Sequence, residues 1–585
     1  RYTSLGGNPS SLSQSIENKI NHIILRPKLI PKYVTTCPVY FHISMKRVSS
    51  LLVVTLLTSL LYSRCHGYNI LVLGVFPFHS HLMMLSVISN ELVSQGHNVT
   101  FVTVKTTRPH PNLNLIINKD VMTGQMNPEF LKNLGRADSR ELTRMLWSLA
   151  KNGTDTLLAT KELKSFIDAP LDDPKRPKFD AIISETYFLH EALSAGFAQK
   201  FSCPLINFQP LVSPPNVAYM IGDPHNPAYM PDYKMTFTSN MNFWQRLENT
   251  YFSVYSTLYQ NLIYLPAMDK IMRTHFAPVG ASNWPYITDI LRERQALTLV
   301  DASFIMTDSI PHAPNVMDIG GMHIKPGQPL PKDISDFITS HADHGVIYFA
   351  MGSHIDADLL GDWRLDRLIR LFATLKQGVL WKVNSPALES RLSSNVKVSK
   401  WFPQNDILAH PSCRLFITHG GVHSAFESIY HGVPMLIIPV FADQKQNGQR
   451  AHEVGYGEAI NFDTLEYEEL TDKLQAVLFD PKYKSTVQHF SELLKSEPVH
   501  PLQKAISGIE YVIRTGGAAH LKTKATDLPW YQLLLLDVIG FCLILLGLIL
   551  YVVYRTGGIL LNLVYGNQST VEQLTAKQKV AKKNE

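Results

Sequence analysis

At 585 residues the chain exceeds what one hydrophobic core serves, and about 150 residues per domain predicts two to four compact units. Charged residues make up 18% of it, below the roughly 25% of soluble domains, so part of the chain is expected to meet a membrane. A net charge of +5 without a long basic block excludes a nucleic-acid partner, and five scattered cysteines without CxxC spacing exclude a zinc site or a disulfide framework.

Residues 1–44 precede the first methionine, Met45, and are polar and irregular; they read as translated leader. Met45-Lys46-Arg47, the apolar run Leu51 to Tyr62 and Cys65-His66-Gly67 then follow the pattern of a signal peptide over 45–67, leaving Tyr68 as the mature start. Asn69 to Gly74 reads as a strand, and a Pro/His/Ser turn holding His79 and His81 leads into helical spacing over 82–94. After Gly96-His97, Asn98 to Thr103 reads as a second strand, which completes a βαβ opening. The aromatic- and Met-rich stretch 208–260 suits an apolar ligand pocket and suits a core equally. The Gly/Pro-rich segment from Gly320 to Pro331 reads as a linker. Strand and Gly-Ser turn then restart at 345–353, and strands alternate with helices to about 465.

This alternation predicts two α/β domains, 68–325 and 326–530, with mostly parallel sheets and a ligand cleft at the carboxyl ends of the strands. Neither half carries GxGxxG, so no nicotinamide or flavin cofactor is expected. Leu533 to Tyr554 is apolar except for Asp537, has Trp530 and Tyr531 before it and Arg555 after it, and is long enough to span a bilayer; 531–554 is read as the membrane segment. Asp537 lies about 7 Å inside the start of that run and is expected to snorkel to the interface. An exported N-terminus and one stop segment place 68–530 in the lumen and 555–585 in the cytosol. Of the sequons, Asn152 reads as a loop acceptor, Asn98 as a strand start of poor access, and Asn567 as cytosolic and unused.

The segment richest in chemistry is 401–447. A strand ending at His419 delivers Gly420-Gly421 onto a helix start, where free N–H groups and the helix dipole suit a diphosphate. Glu427, further along that helix, can accept both hydroxyls of a ribose; Trp401 offers a flat face for a base, with Gln404 as a polar edge. Asp443 and Gln444 follow the next strand, where they can bond sugar hydroxyls.

This segment resembles, nearly position by position, the signature of the UDP-glycosyltransferases, membrane-bound glucuronosyl- and glucosyltransferases of the two-domain GT-B fold. The likeness extends from Met45 to the tail, where Lys582 and Lys583 resemble a dilysine signal for retrieval to the endoplasmic reticulum. It implies that Trp401 and Gln404 hold uracil, Glu427 the ribose, Ser353, His419, Gly421 and Ser424 the diphosphate, and Asp443 and Gln444 the sugar. His423 stands where many members have Asn at the phosphates.

Attack of an acceptor hydroxyl on the anomeric carbon requires a base, and a His with a pKa near 6.5 suits it. Position singles out His79 and His81. The family's catalytic His follows a Ser and precedes the Gly-His turn by sixteen residues counted to the His, which selects His81. The family's orienting Asp ends a strand of the pattern Phe-Asp-hydrophobic-hydrophobic; Phe179 to Glu185 places Glu185 there, with Asp180 capping the other end.

The resemblance thus implies a type I endoplasmic-reticulum enzyme that moves a sugar from a UDP-sugar to a hydroxyl of a small lipophilic acceptor, inverting the anomeric carbon. No metal or cofactor is expected, UDP-sugar being a co-substrate, and homo-oligomer formation is compatible. Asp443-Gln444-Lys445 favours UDP-glucose as in invertebrate members. The alternatives are UDP-glucuronic acid as donor and a catalytically silent binding protein on the same fold.

Overall fold

A computed structural model describes residues 67–584 except 106–108, 119–127, 171–177, 188–189, 354 and 356; the expected leader and residues 45–66 of the expected signal peptide lie outside the described residues. The first sheet contains β1 (Asn69–Gly74), β2 (Asn98–Thr103), β3 (Asn114–Ile117), β4 (Ala181–Ser184), β5 (Leu205–Gln209), β6 (Gln295–Val300) and β7 (Val316–Asp318), in the order β3-β2-β1-β4-β5-β6-β7. The second contains β8 (Val346–Ala350), β9 (Gly378–Lys382), β10 (Val396–Ser399), β11 (Cys413–Thr418), β12 (Met435–Ile437) and β13 (Gly457–Ala459), in the order β10-β9-β8-β11-β12-β13. Every pairing is parallel.

The sequence reason is visible in β1. Its apolar run is buried on both faces, as a parallel sheet covered by helices requires. Ile70 and Val72 pack into one cluster and Leu71 and Leu73 into another, the two-residue alternation of a strand. Helix α1 (His79–Ser94) covers the first of these faces with Met84, Leu85, Ile88 and Leu92. It begins three residues earlier than the apolar spacing predicts, because Leu82 N already donates to Phe78 O (3.1 Å). His79 and His81 therefore stand in the first helical turn and not in the preceding loop.

Helix α2 (Ser139–Leu158) carries Asn152 on an exposed position, so the expected loop is a helix, and Thr154 of the same sequon is fully buried. Asn98 starts β2 as expected, yet it is exposed and donates to Asn69 Oδ1 (2.8 Å). In the second half, α3 (Gln404–Ala409), α4 (Val422–Tyr430) and α5 (Gln444–Val454) follow β10, β11 and β12.

The chain then returns. Helix α6 (Pro501–Arg514) lays Ala505, Ile506, Ile509 and Val512 on the β1 cluster of the first sheet. It sits so close that a Cβ on Gly508 would lie 2.9 Å from Met317 Sδ, and Glu510 Oε1 lies 3.1 Å from His97 Nε2. Thr523 then donates to Gly222 O (2.6 Å) and Lys522 to Glu293 O (2.7 Å). Past Leu535, at φ 54°, helix α7 (Leu536–Ala581) is long and apolar enough to cross a membrane. At 1.5 Å per residue its 46 residues exceed a hydrocarbon core of about 30 Å, so the helix runs on beyond the apolar run.

Ile509→Ala should remove a fully buried side chain from this returning helix, and is expected to lower stability by about 2–5 kcal/mol in denaturant unfolding of the solubilised protein. A loss below about 1 kcal/mol would mean that α6 is not integral to the first sheet's core.

Candidate active site

In a parallel sheet a crevice opens where strand order reverses, because the loops on either side leave toward opposite faces. In the first sheet that point lies between β1 and β4, whose ends pair as Leu73 with Ser184. The loop after β1 leads into the first turn of α1, which carries His81, and the residue after β4 is Glu185. The structure brings them together: His81 Nδ1 lies 3.2 Å from Glu185 Oε1, with Glu185 fully buried. The approach is off the line of a straight hydrogen bond. Phe76 and Phe78 flank the imidazole at ring-centre distances of 5.2 and 5.5 Å and fix its plane. Asp180 caps the opposite end of β4 by accepting from Asn69 N (2.8 Å). His79 is exposed at the start of α1, and partial burial of its ring first, then the cations Lys105 and Lys382, lowers its pKa.

The second sheet repeats the device. Its reversal lies between β8 and β11, whose ends pair as Ala350 with Thr418. Met351-Gly352-Ser353 follows β8 and His419-Gly420-Gly421 follows β11. The His419 ring is wedged between two glycines: a Cβ would fall 2.7 Å from Nε2 at Gly352 and 2.6 Å at Gly421. Gly352 and Gly420 also have φ +72° and +82°, a region costly for side-chain-bearing residues. Lys382 Nζ donates to Gly352 O and Asn447 Nδ2 to Gly420 O, each at 2.9 Å. These bonds brace both turns. Helix α4 opens directly after Gly421 with no side-chain cap hydrogen bond, and Ser353, after β8, is exposed.

Gln404, Ser424 and Glu427 form one cluster, Gln404 Nε2 lying 2.8 Å from Glu427 Oε2 and 3.1 Å from Ser424 Oγ. Trp401 precedes them with 58% of its surface exposed. Asp443 accepts from Asn447 Nδ2 (2.6 Å), yet burial outweighs that bond and pushes its pKa up to about 6. Gln444 is turned differently from the expectation: its Oε1 accepts from Val440 N (2.8 Å) and Phe441 N (3.0 Å), so its carbonyl end braces the loop.

The two halves meet over these turns. His423 Nε2 lies 2.5 Å from Oδ2 of Asp301, which is fully buried just past β6. The His423 ring meets His323 edge-on at 5.2 Å, and His323 Nε2 lies 3.5 Å from Glu427 Oε1. Sequence reading missed Asp301, His323 and Lys382, and gave Asn447 no role. Asp301 had a signal, an acid ending an apolar strand as Glu185 does. His323 had none, because it sits in the segment read as linker; Gly320 to Ile324 are buried, and a Cβ on Gly320 would meet the Phe426 ring at 2.4 Å.

Comparison with known proteins agrees with this geometry. A family model described as UDP-glucoronosyl and UDP-glucosyl transferase matches residues 70–568. The chain is 34% identical to UDP-glycosyltransferase UGT5 of Dactylopius coccus over 517 residues, covering 86% of this chain and 95% of that protein. It is 33% identical over 501 residues to UDP-glucosyltransferase 2 of the same insect, covering 84% and 93%. Among solved structures, the calicheamicin glycosyltransferase CalG4 superposes with a TM-score of 0.51 at 16% identity, covering 77% of this chain and 99% of that one, and so shares the fold. Two parallel sheets with facing crevices, the 401–447 signature and these matches establish that the chain is a glycosyltransferase of the UDP-glucuronosyl and UDP-glucosyl transferase family.

Proposed function

We propose that the protein transfers glucose from UDP-glucose to a hydroxyl of a small aromatic or otherwise lipophilic acceptor, with inversion, as a type I membrane enzyme of the endoplasmic reticulum. The observation that carries this reading is the buried His81–Glu185 pair at one crevice opposite the glycine-flanked His419 turn at the other. Nδ1 of His81 faces the carboxylate, so Nε2 takes the acceptor's proton as oxygen attacks the anomeric carbon. Glu185 balances the imidazolium that forms. The carbon–oxygen bond to UDP breaks, and the diphosphate charge is met by the first turn of α4, Ser353 and Ser424. Trp401 stacks on uracil, Glu427 accepts from the ribose and Asp443 from the sugar. The scheme assigns every charge to protein groups and draws on no cofactor. Glucose as the sugar is supported by Asp443-Gln444-Lys445 and by likeness to an insect protein named as a glucosyltransferase.

His81→Ala is expected to lower kcat by roughly a hundred- to ten-thousand-fold while UDP affinity holds; His79→Ala should be mild. Reversed results would move the base to His79. Glu427→Ala is expected to raise the donor KM by an amount worth about 1.5–3 kcal/mol and to leave acceptor KM near wild type. An unchanged donor KM would remove α4 from the nucleotide site.

Lys582 and Lys583 follow α7 and are exposed, as a cytosolic receptor would require. Changing both to Ser should let active enzyme reach the cell surface, detectable by surface labelling. Full retention would place the address in the span or the luminal halves.

A further inference from the structure

The helix Phe243–Tyr259 of the first half is built inside out. At 100° per residue, Phe243, Trp244, Leu247, Tyr251, Val254 and Leu258 share one arc about 100° wide, and each has half or more of its surface exposed. The opposite face carries Asn249, Ser253, Ser256 and Gln260, all buried beside Phe252. Asn249 Nδ2 donates to Pro227 O (2.8 Å) and Met230 O (2.9 Å), so this polar face is taken up by the protein's own backbone. Trp147 of α2 stacks on Tyr259 at a ring-centre distance of 5.2 Å and helps to hold the helix in this sense. The stretch whose composition suits a pocket or a core thus turns an apolar stripe outward. Exposed apolar residues scattered singly are ordinary; a continuous stripe marks a surface that something covers.

Three observations favour a lipid surface over a second copy of the chain. The first is place. The segment leading into α7 is fastened to this same half, through Thr523 to Gly222 O (2.6 Å) and Lys522 to Arg292 O (2.9 Å). Gly222 ends the short helix Pro215–Ile221, which packs on the helix Phe243–Tyr259. The lead-in to the span and the striped helix therefore rest on one element about 10 Å long. The second is charge. A seam between two helices is commonly flanked by charged residues that choose the partner, whereas Asn249 to Met268 contains none. The third is composition. Trp and Tyr gather at bilayer interfaces, and Arg140 and Arg144 of α2 lie beside Tyr251 and Tyr255, where headgroup phosphates would meet them.

We infer that the exposed stripe of the helix Phe243–Tyr259 lies in the headgroup layer of the bilayer that α7 crosses, and so holds the first half against the membrane. This rests on the reading of the chain as a membrane-anchored enzyme. The stripe needs little affinity of its own, because α7 already keeps it at high local concentration beside the lipid.

The test uses full-length enzyme in phosphatidylcholine nanodiscs that hold one copy each. Leu247→Cys, Leu258→Cys and, in the span, Ile544→Cys are made separately in a Cys542→Ser background, where Cys203 and Cys413 are buried, and labelled with an environment-sensitive fluorophore. Nitroxide-bearing lipids should quench both stripe labels, and the Ile544→Cys label, by at least about twofold. A quenched span label with both stripe labels unquenched would overturn the inference and leave the anchor reading standing. An unquenched span label would overturn both. Stripe labels shielded from water yet unquenched, with Val254→Cys chains cross-linking to one another in vesicles, would overturn it in favour of a second copy. Leu247→Glu combined with Leu258→Glu, both at exposed positions that the fold does not depend on, should lower quenching of a Val254→Cys label at least about twofold. Unchanged quenching in that variant would mean that the fluorophore alone seeks the lipid, and would overturn the inference.

Discussion

Two parallel sheets, each with one reversal of strand order, are the constraint on which the candidate active site depends. A parallel sheet sends every loop after a strand to the same edge, and at the reversal two neighbouring loops diverge. Leu73 paired with Ser184 puts the chain leading to His81 beside Glu185, and Ala350 paired with Thr418 puts Gly352 beside His419. No residue of either pair is near its partner in sequence. The contact exists because the register of two short strands brings it about, and a one-residue slip would turn Leu73 and Ser184 to opposite faces.

Register alone does not bring the two crevices face to face; contacts between the halves and the returning helix do. Arg450 pairs with Asp308 and donates to Thr307 O (2.9 Å), Gln446 donates to Asp232 O (3.2 Å) and Phe237 O (3.1 Å), and Thr238 donates to Glu453 (2.5 Å). Individually, such hydrogen bonds contribute about 0.5–1.5 kcal/mol net, whereas each fully buried apolar side chain on α6 contributes roughly 1.5–3 kcal/mol. The burial of Ile506, Ile509 and Val512 therefore stabilises the join more than the polar contacts do. The polar contacts supply geometry: His423 against Asp301, and His323 against Glu427, tie α4 to the first half.

What the sequence displayed follows the physics of each signal. Apolar runs such as Ile70 to Leu73 and Val346 to Ala350 announce buried strands because no water-facing residue interrupts them, and Gly420-Gly421 after a strand announces a backbone that must approach something closely. Glu185 was readable only through the resemblance, which places an acid at the end of a strand of that pattern. The start of α1 was not, because His79, Ser80 and His81 break the apolar period while the backbone bond to Phe78 forms without regard to side chain. The loop expected at Asn152 failed for a related reason: Asn and Gly interrupt the pattern, yet Leu149, Leu157 and Leu158 hold that stretch of α2 to the core. Contacts between the halves, such as Asp301 to His423, leave no trace in either local pattern.

The departure from Asp to Glu at position 185 shows how such a site absorbs a change. The added methylene lengthens the side chain, and a rigid turn would then force the carboxylate past the imidazole. Here the histidine stands on a helix and not in the turn, in the third position of α1, and its ring is held from the sides by Phe76 and Phe78. The carboxylate meets Nδ1 at 3.2 Å and off-line. Coulomb attraction falls slowly with distance and depends little on angle, whereas a hydrogen bond weakens steeply when bent. Stabilising an imidazolium needs the first more than the second. In the transferase scheme proposed above, full burial of Glu185 would keep water from screening that attraction, so a longer acid in an imperfect line would still suit the histidine.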